Sequence, residues 1–406
     1  MRASVARGTN QDSVRQHNLS TLLRQLHLSG RLSRSALAAT MGLNRSTIAG
    51  LINELVCLEL VEQLGPSPGV DASGQGTAGR PSVEVGPTEH ACVLAIEVRV
   101  SGVVVACIGL GGALLSTAGC PSPGDHDPDT TADLAAALAR TVLRDTPDSV
   151  VVGIGVSVPG TVAPESGIVS LAPNLGWRDV AFADLLTARL GIPLLPVLGN
   201  DADLGALAEH RRGAGRGIND LVYLYGEVGV GAGLIAAGTS VTGASGFAGE
   251  IGHVPFGDGT RPCHCGAQGC WETEIGAAAM AEAVGCPGDR LIELGRHLNE
   301  LDRAPTELAV VGRHLGRGLA GLANLLNPRV IVLGGYLREL YRWVEHDVQA
   351  ELALRTLRVS GMAPRITLPH LGDHSVLLGA SEVAFEALLA DPAGTLAAAL
   401  PAQKIE

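Results

Sequence analysis

The sequence is poor in aromatic residues and in lysine, and it has no long hydrophobic run. Aromatic residues make up 3% of the chain whereas hydrophobic residues make up 46%, so the cores must be built from alanine, valine, leucine and isoleucine. Lys404 is the only lysine, and nearly all positive charge is therefore carried by arginine. Because no run of roughly 18 apolar residues occurs, no membrane span is expected.

The N-terminus also lacks the features of a secretory signal, because the segment from Met1 to Arg7 has no apolar core after its charges. Four of the eight cysteines are scattered in apolar segments, which is typical of buried core thiols. These four are Cys57, Cys92, Cys107 and Cys120. We therefore expect a cytoplasmic protein that does not associate with a membrane.

Charge is unevenly distributed along the chain. The first 53 residues contain seven arginines and one acidic residue, Asp12, whereas the whole chain has a net charge of −12. A basic segment attached to an acidic body favours contact between that segment and a polyanion. A basic surface that is merely solvated would fit the charge equally well. The helix pattern of the segment therefore has to decide between this alternative and contact with a polyanion.

Hydrophobic residues near the N-terminus recur at helical spacing. Two sets each form one apolar stripe of a helix, namely Leu19, Leu22, Leu23 and Leu26, and Ile48, Leu51, Ile52 and Leu55. Between them, Ser33 can cap a short helix that runs through Thr40, and Met41-Gly42-Leu43 makes a tight turn. The third helix then opens at Asn44. Helix, short helix, glycine turn and helix form the helix-turn-helix pattern.

The third helix has a polar first turn, as required of a helix that reads the major groove of DNA. Its candidate DNA contacts are Arg45, Ser46, Thr47 and Asn53. A small helical module for dimerisation or protein docking is the alternative interpretation. Such a module would not need Arg45, Ser46 and Thr47 together on one exposed turn, so DNA binding is the favoured prediction.

A β-hairpin is expected to follow the three helices as a wing. Its strands would lie near residues 58–64 and 83–85, and its tip from Gly65 to Gly79 is rich in glycine, proline and serine. The tip ends in Gly79-Arg80-Pro81, in which the proline would hold Arg80 extended, as suits insertion into a narrow minor groove. A plain loop that closes onto a strand fits this tripeptide as well.

One short loop contains a complete ligand set for a zinc ion. Cys263, Cys265 and Cys270 lie within Cys-His-Cys-Gly-Ala-Gln-Gly-Cys, and His253 lies ten positions before the first of them. Three thiolates and an imidazole are a typical tetrahedral ligand set for Zn²⁺. A redox or disulfide cluster is the alternative. His264 competes with His253 for the fourth position, but we expect its side chain to point away from its ligating neighbours.

From Ala91 onwards the pattern changes to alternating strands and helices. Three strands in close succession are followed by a helix and a buried strand, and a related series recurs from Leu221. This repetition predicts two α/β lobes with a cleft between them. We expect a winged helix-turn-helix domain over residues 1–88, a first lobe over 89–200 and a second lobe over 201–406. The C-terminal helix of the second lobe is able to return to the first.

Polar residues at the ends of the predicted strands are candidate ligand contacts. In Gly199-Asn200-Asp201, a carboxylate follows an apolar strand and can take a proton from a hydroxyl or bind two hydroxyls. An ordinary helix cap is the simpler interpretation of Asp201. Asn174 would on its own belong to a turn. Glu250 and Glu272 flank residues 263–270, which we call the metal loop. A rigid frame there could aim the two carboxylates at a polyol.

Together these motifs resemble the ROK family of repressors, open reading frames and sugar kinases. The most specific stretch runs from Glu250 and His253 through the three cysteines to Glu272, and the helix-turn-helix resembles the repressor branch. The resemblance spans about residues 14–390 and implies an α/β body of two actin-like, hexokinase-like lobes. It also implies that sugar hydroxyls would be contacted by Asn174, Asn200, Asp201, Glu250, His253 and Glu272. Asp201 would take the place of the kinases' catalytic base, and His253 would bind both zinc and sugar.

The phosphate-binding segments depart from those of the family's kinases. The kinases begin with Asp-x-Gly-Gly-Thr-Lys, whose amides cradle phosphate, and this chain has Glu97-Val98-Arg99-Val100-Ser101-Gly102. The second loop, Gly-Thr-Gly-x-Gly in the kinases, is Glu227-Val228-Gly229-Val230-Gly231. Glu227 would repel nucleotide phosphates by several kcal/mol at an effective dielectric constant of about 20. Gly334-Gly335 survives at the adenosine position but also fits a plain turn. We expect ATP binding to be lost and the sugar face to be kept.

The sequence therefore predicts a sugar-responsive DNA-binding regulator, a repressor of carbohydrate-utilisation genes without kinase activity. Its partners would be double-stranded operator DNA and a sugar or sugar phosphate, and its zinc ion would be structural. A homodimer or homotetramer is expected, because an operator with two half-sites needs two helix-turn-helix domains. The alternatives are an ATP-dependent sugar kinase that carries a DNA-binding head, and an interaction protein with a vestigial cleft.

Overall fold

The computed structural model describes residues 11–66, 83–163, 166–256, 259–287, 291, 293–357, 359 and 363–399. The helices are α1 Gln11–Ser29, α2 Arg34–Met41, α3 Arg45–Cys57, α4 Pro128–Arg144, α5 Phe182–Leu190, α6 Asp201–Arg212, α7 Glu272–Ile275, α8 Ala277–Val284, α9 Leu294–Glu300, α10 Leu308–Leu326, α11 Tyr336–Arg355, α12 Ser375–Ala384, α13 Glu386–Ala390 and α14 Pro392–Ala399. No helix among these residues combines the length and the apolar character needed to cross a membrane.

The strands form four sheets. They are β1 Leu32–Ser33, β2 Val61–Pro66, β3 Val83–Pro87, β4 Ala91–Arg99, β5 Gly102–Gly109, β6 Leu114–Pro121, β7 Val150–Val158, β8 Thr161–Ala163, β9 Ile168–Ala172, β10 Trp177–Val180, β11 Val197–Asn200, β12 Leu221–Gly226, β13 Val230–Ala236, β14 Thr239–Ser240, β15 Val330–Gly335 and β16 Arg365–Thr367. The sheet orders are β1-β3-β2, β10-β9-β8, β11-β7-β4-β5-β6 and β14-β13-β12-β15-β16.

The N-terminal head consists of α1 to α3 and the antiparallel sheet β1-β3-β2. The Ser33 hydroxyl accepts a hydrogen bond from the N–H of Ala36, so the predicted cap of α2 is confirmed. The Asn44 side chain accepts one from the N–H of Thr47, so the residue at which the third helix was predicted to open is its N-cap. Gly42 ends α2 with a φ of 64°, in the left-handed region that glycine tolerates. Both predicted leucine and isoleucine stripes are buried. The chain therefore has the expected helix-turn-helix followed by a hairpin.

In the first lobe, β4, β5 and β6 form an antiparallel meander, and β7 and β11 continue the sheet in parallel with β4. Helices α4 and α5 bury one face of this sheet and α12 buries the other. The contact with α12 is very close at β7. A Cβ atom added at Gly155 would lie 1.9 Å from the carbonyl oxygen of Ala380, so only glycine fits there.

In the second lobe, β12 lies between antiparallel β13 and parallel β15. Helices α7 to α11 bury one face of this sheet, with Trp271 fully buried among them. The other face is covered by α6, whose Ala206 packs against Tyr223 and Ile235. Since α6 also packs against α12, it lies at the junction of the two lobes.

The C-terminal helices return to the first lobe, where α12 contacts β4 and β7, and α13 and α14 contact β7. They also meet the head, because α13 contacts α1. One continuous hydrophobic cluster joins residues of all three parts, including Leu22 in α1, Val93 in β4 and Leu388 in α13. The domain limits at residues 88 and 200 stay predictions.

Candidate ligand cleft and metal centre

A cavity of about 840 Å³ lies between the two lobes. It is lined by the turn after β7, the short sheet β8 to β10, the start of α6, the β12–β13 turn and the metal loop. The structure brings all six predicted sugar contacts to this cavity, namely Asn174, Asn200, Asp201, Glu250, His253 and Glu272. The lining also includes Trp177, Arg178, Asp203 and Phe247, which sequence reasoning did not single out.

Asn200, and not Asp201, is the N-cap of α6. Its side-chain oxygen accepts hydrogen bonds from the N–H groups of Ala202 and Asp203 at 2.9 and 3.2 Å, and its amide donates to the carbonyl of Gly160 at 3.0 Å. Capping therefore engages most of the Asn200 side chain and leaves one N–H for a ligand. Asp201 is the first helical residue and not the cap residue, but its Oδ1 atom also accepts a hydrogen bond from the N–H of Ala202 at 2.8 Å.

Burial and mutual repulsion shift three carboxyl groups of the cleft towards their protonated forms. Burial, followed by the charges of Glu227 and Glu97, raises the pKa of Asp201 to about 8. Burial and Glu250 raise the pKa of Asp203 to about 7, and burial and Glu97 raise that of Glu227 to about 7. Near neutral pH these groups can both donate and accept hydrogen bonds, which suits the hydroxyls of a polyol.

The end of β4 and the β12–β13 turn meet at Glu227. Its Oε1 atom lies 3.5 Å from the Oγ atom of Ser101, and the backbone N–H groups of Ser101 and Val100 lower the pKa of its carboxyl group against the larger effect of burial. Glu97 is buried beside it and forms an ion pair of 2.7 Å with Arg99. A second cavity of about 380 Å³ shares Glu227 with the cleft and extends to Gly335.

The predicted metal ligands converge on one point. The ligand atoms of His253, Cys263, Cys265 and Cys270 all lie within 4.8 Å of one another. The Cys263 sulfur lies 3.7 Å from Nδ1 of His253, and the Cys265 and Cys270 sulfurs are 3.6 Å apart. Ligands about 2.3 Å from a tetrahedral zinc ion are roughly 3.7 Å apart, so the group fits such an ion. All eight cysteines are free, so the structure contains no disulfide at this site.

The metal loop also forms part of the cleft wall. Glu272 lies with its Oε1 atom 3.5 Å from Nδ1 of His253, and Nε2 of His253 is 4.0 Å from Glu250. His264 lines the cleft as well, with Nδ1 3.3 Å from Glu272 and 3.9 Å from the Cys263 sulfur. The expectation that His264 points away from its ligating neighbours is therefore wrong. His253, His264 and Glu272 form a second group whose ligand atoms lie close together.

The candidate DNA contacts lie on the outer side of the head. Arg45, Ser46 and Asn53 are exposed and Thr47 is half-buried. The Ser46 hydroxyl donates to the Asn44 side chain at 2.7 Å, so it also supports the cap of α3. Arg80 lies outside the described residues.

Fold and cleft define a two-lobed α/β protein of the actin and hexokinase type that carries a helix-turn-helix head. Residues 93–387 match the ROK family, and the chain belongs to that family. The xylose repressor of Bacillus spizizenii is 27% identical over 388 residues, covering 94% of this chain and 98% of the repressor. The glucokinase of Streptomyces coelicolor is 28% identical over 318 residues, covering 72% of this chain and 98% of the kinase.

One solved structure supports the fold over nearly the whole chain. A ROK family transcriptional regulator, a homologue of the E. coli MLC protein, superposes with a TM-score of 0.72 at 22% identity. The superposition covers 96% of this chain and 99% of the regulator. The predicted architecture, a ROK body with an N-terminal helix-turn-helix, is therefore confirmed.

Proposed function

We propose that this protein is a DNA-binding transcriptional repressor of carbohydrate-utilisation genes, and that a sugar in the cleft changes its affinity for the operator. One observation carries the proposal: a head with an exposed polar turn on α3 is joined to a body whose cleft collects hydroxyl-binding side chains. The similarity to the xylose repressor covers 94% of the chain, whereas the similarity to the glucokinase covers 72%.

The head would read DNA through the first turn of α3. Arg45 has an exposed guanidinium suited to a guanine edge or a phosphate, and Ser46, Thr47 and Asn53 offer polar groups on the same helix. Arg80 would enter the minor groove beside this helix. Since one recognition helix reads few base pairs, we propose that two heads act together in a homodimer, or in a homotetramer built from such dimers.

The cleft would bind an unphosphorylated sugar. Its described lining contains six carboxyl groups, and Arg178 is its one arginine. The carboxyl groups are Asp179, Asp201, Asp203, Glu227, Glu250 and Glu272. Carboxyl groups hydrogen-bond to hydroxyls but repel a phosphate group, particularly in a cleft of low effective dielectric constant. Asn174, Asn200, Asp201, Glu250, His253 and Glu272 would contact the sugar hydroxyls.

A zinc ion would have a structural role at His253, Cys263, Cys265 and Cys270. Four protein ligands leave no open position for a reacting water molecule, which is the arrangement of a structural zinc site. The ion would hold together the loop that aims Glu272 and His253 into the cleft. We assign residues 1–88 to the head, 89–200 to the first lobe and 201–406 to the second, with the C-terminal helices returning to the first. Acting on chromosomal genes places the protein in the cytoplasm.

We propose that the protein lacks kinase activity. In the family's kinases the turn after the first strand offers its amides to phosphate, but here the same turn lies against Glu227, and the N–H groups of Ser101 and Val100 lower the pKa of that carboxyl group. A fixed carboxylate in this position competes with a phosphate for the same donors. Glu97 adds a second acidic group nearby, only partly balanced by Arg99.

An ATP-dependent sugar kinase with a DNA-binding head is the second candidate. Two observations favour it: Asp201 lies in the cleft at the place expected for a base, and the second cavity, which extends to Gly335, adjoins the cleft at Glu227. A pKa of about 8 also lies near the value that a general base needs. Transfer of phosphate from ATP to a hexose or pentose is the reaction that separates the two candidates.

The proposal is tested with the purified full chain. Duplexes selected from random DNA give the operator sequence, and fluorescence anisotropy then measures operator affinity with D-xylose, D-glucose, N-acetyl-D-glucosamine and their phosphates. We expect a two-half-site duplex to bind, and one unphosphorylated sugar to change its affinity about 5- to 150-fold. Failure to select any duplex, or rapid phosphorylation of a sugar with ATP and magnesium, would overturn the proposal.

A further inference from the structure

We propose that helix α6 connects the ligand cleft to the N-terminal head, and that Arg212 is the positioning residue through which the connection is made. The proposal rests on the proposed function in one respect, because the signal that α6 passes on is the binding of a ligand in the cleft. The physical connection itself is formed by contacts at both ends of one helix.

The first end of α6 forms part of the cleft wall. Asn200 caps the helix and also holds the carbonyl of Gly160, which lines the cavity just after the neighbouring strand β7. Asp201 and Asp203, in the first turn, both line the cavity. A ligand that hydrogen-bonds to these side chains therefore acts directly on the first turn of the helix.

The last residue of α6 holds the end of α1. Nη1 of Arg212 donates to the carbonyl oxygen of His27 at 3.0 Å and to that of Gly111 at 2.9 Å, and Nη2 lies 2.6 Å from Nε2 of the His27 ring. The Nε atom of Arg212 donates to Glu382 in α12. His27 is completely buried, and its Nδ1 accepts a hydrogen bond from the N–H of Gly111 at 3.1 Å. One guanidinium thus joins the head, the β5–β6 turn and α12.

A second connection runs beside the first. Arg211 donates to Glu382 at 3.0 Å and to Glu386 at 2.8 Å, and Glu386 in turn accepts a hydrogen bond from Arg24 of α1 at 2.8 Å. Burial would raise the pKa of Glu382, but His27, Arg212 and Arg211 hold it well below its usual range. The buried carboxylate therefore stays charged and keeps both arginines in position.

The body of α6 is packed so tightly that it moves as a rigid unit. A Cβ atom at Gly205 would lie 2.4 Å from the Tyr223 ring, and one at Gly379 of α12 would lie 1.9 Å from the Leu204 carbonyl oxygen. A helix of this length measures roughly 18 Å. Because close-packed interfaces shift between discrete arrangements and do not deform gradually, a displacement of the first turn is passed to Arg212.

The first arm of the test needs no ligand. A double-mutant cycle combines Asn200→Ala at the cleft end with Arg212→Gln at the head end, and hydrogen exchange of the α1 amides is measured in the full chain. We expect Asn200→Ala to change α1 exchange at least threefold in the wild-type background and not in the Arg212→Gln background. Additive effects would overturn the proposal. If Arg212→Gln does not fold, Arg212→Lys keeps the charge beside Glu382 and loses the fork of donors.

The second arm uses D-xylose and the other sugars of the binding panel. Arg212→Gln is expected to bind sugar within about threefold of the wild-type affinity, while the effect of sugar on operator affinity falls towards none. Arg189→Gln, which removes an arginine paired with Asp129 and Asp133, is the matched control and should keep the full effect. An unchanged sugar effect in Arg212→Gln would count against the proposal. A wild-type protein that binds none of the sugars contradicts the proposed function instead, and the first arm still decides about α6.

Discussion

The Oε1 atom of Glu272 lies 3.0 Å from the sulfur of Cys263, so the wall of the ligand cleft and the proposed metal site meet in a direct contact. The backbone at two glycines lies close to the other oxygen, Oε2, of the same carboxylate. A Cβ atom added at Gly229 or Gly252 would lie 3.0 or 3.4 Å from Oε2 of Glu272. The carboxylate is therefore fixed from both sides, and a change at the metal site is expected to be felt in the cleft.

Removal of the metal is expected to lower both stability and ligand affinity. Cys263→Ser, or treatment of the wild type with a chelator, should lower the thermal unfolding midpoint by roughly 5–10 °C. Metal content by mass spectrometry and unfolding by calorimetry measure this effect. Cys120→Ser is the control, because that thiol is exposed on β6, far along the chain from the metal loop. An unaltered midpoint in Cys263→Ser would argue against a structural metal.

Asn174 provides a test of the sugar face. Its side chain lines the cleft without a backbone role comparable to that of Asn200, so Asn174→Ala should leave the unfolding midpoint nearly unchanged. Loss of a hydrogen bond to the ligand should weaken sugar binding about 5- to 100-fold by isothermal titration calorimetry. Asn219→Ala, at an exposed position outside the lining, is the control. Equal sugar affinity in both variants would remove Asn174 from the site.

Stability should depend on pH through Asp201. Burial and the neighbouring glutamates raise the pKa of Asp201 to about 8 in the folded protein, against about 3.9 in an unfolded chain. Between these values the folded protein keeps a proton that the unfolded chain has released, so this group lowers the free energy of unfolding as pH rises. Asp201→Asn removes the effect.

Urea unfolding of wild type and Asp201→Asn at pH 5 and pH 8 measures the difference. Relative to the wild type, we expect the free energy of unfolding of Asp201→Asn to be higher at pH 8 than at pH 5, by on the order of 1–3 kcal/mol. Asp184→Asn, at an exposed position on α5, should show no such gain. An advantage that stays constant between pH 5 and pH 8 would mean that Asp201 is already ionised at pH 5.

Replacement of Glu227 should restore part of a phosphate site. Glu227→Gly frees the N–H groups of Ser101 and Val100 and removes a carboxylate from the passage between the two cavities. We expect the affinity for Mg–ATP, measured by titration calorimetry, to rise at least about tenfold above that of the wild type. Glu339→Gln, which changes another carboxyl group in the lining of the second cavity, is the control. Micromolar binding of ATP by the wild type would contradict this account.

DNA binding should depend on Arg45 in a salt-dependent manner. Arg45→Ala is expected to weaken operator binding at least about tenfold. If the guanidinium meets a phosphate, the slope of log affinity against log salt concentration should fall by about 1, and if it meets a base, discrimination at one position should relax. Arg140→Ala, exposed on α4 of the first lobe, should change neither quantity. Wild-type affinity in Arg45→Ala would place the DNA surface elsewhere.

Local patterns in the sequence were sufficient to predict the head and the metal loop. The side chains of Ser33 and Asn44 accept hydrogen bonds from N–H groups only three residues further along the chain. The three cysteines of the metal loop lie within eight positions of one another. Such short-range rules do not require knowledge of the tertiary fold.

The strands β8 to β10 were not predicted, because they are short and their residues alternate little between polar and apolar. They nevertheless bring Asn174 and Trp177 to the cleft. The contact between His27 and Arg212 spans 185 positions and depends on how α1 and α6 meet, which no spacing rule contains. The sequence also did not show whether Asn200 or Asp201 caps α6. Both residue types favour helix N-termini, and only the position at which the helix begins decides between them.

The seating of α1 on the C-terminal helices has a practical consequence for engineering. Ser20 donates to the carbonyl oxygen of Leu389 at 2.6 Å, and the apolar face of α1 merges with the interior of the first lobe. A chimera designed to give this receptor a new target sequence should therefore exchange α2, α3 and the hairpin and retain the native α1. Grafting a complete foreign head would remove the α1 side of the contact with the C-terminal helices that holds the head on the body.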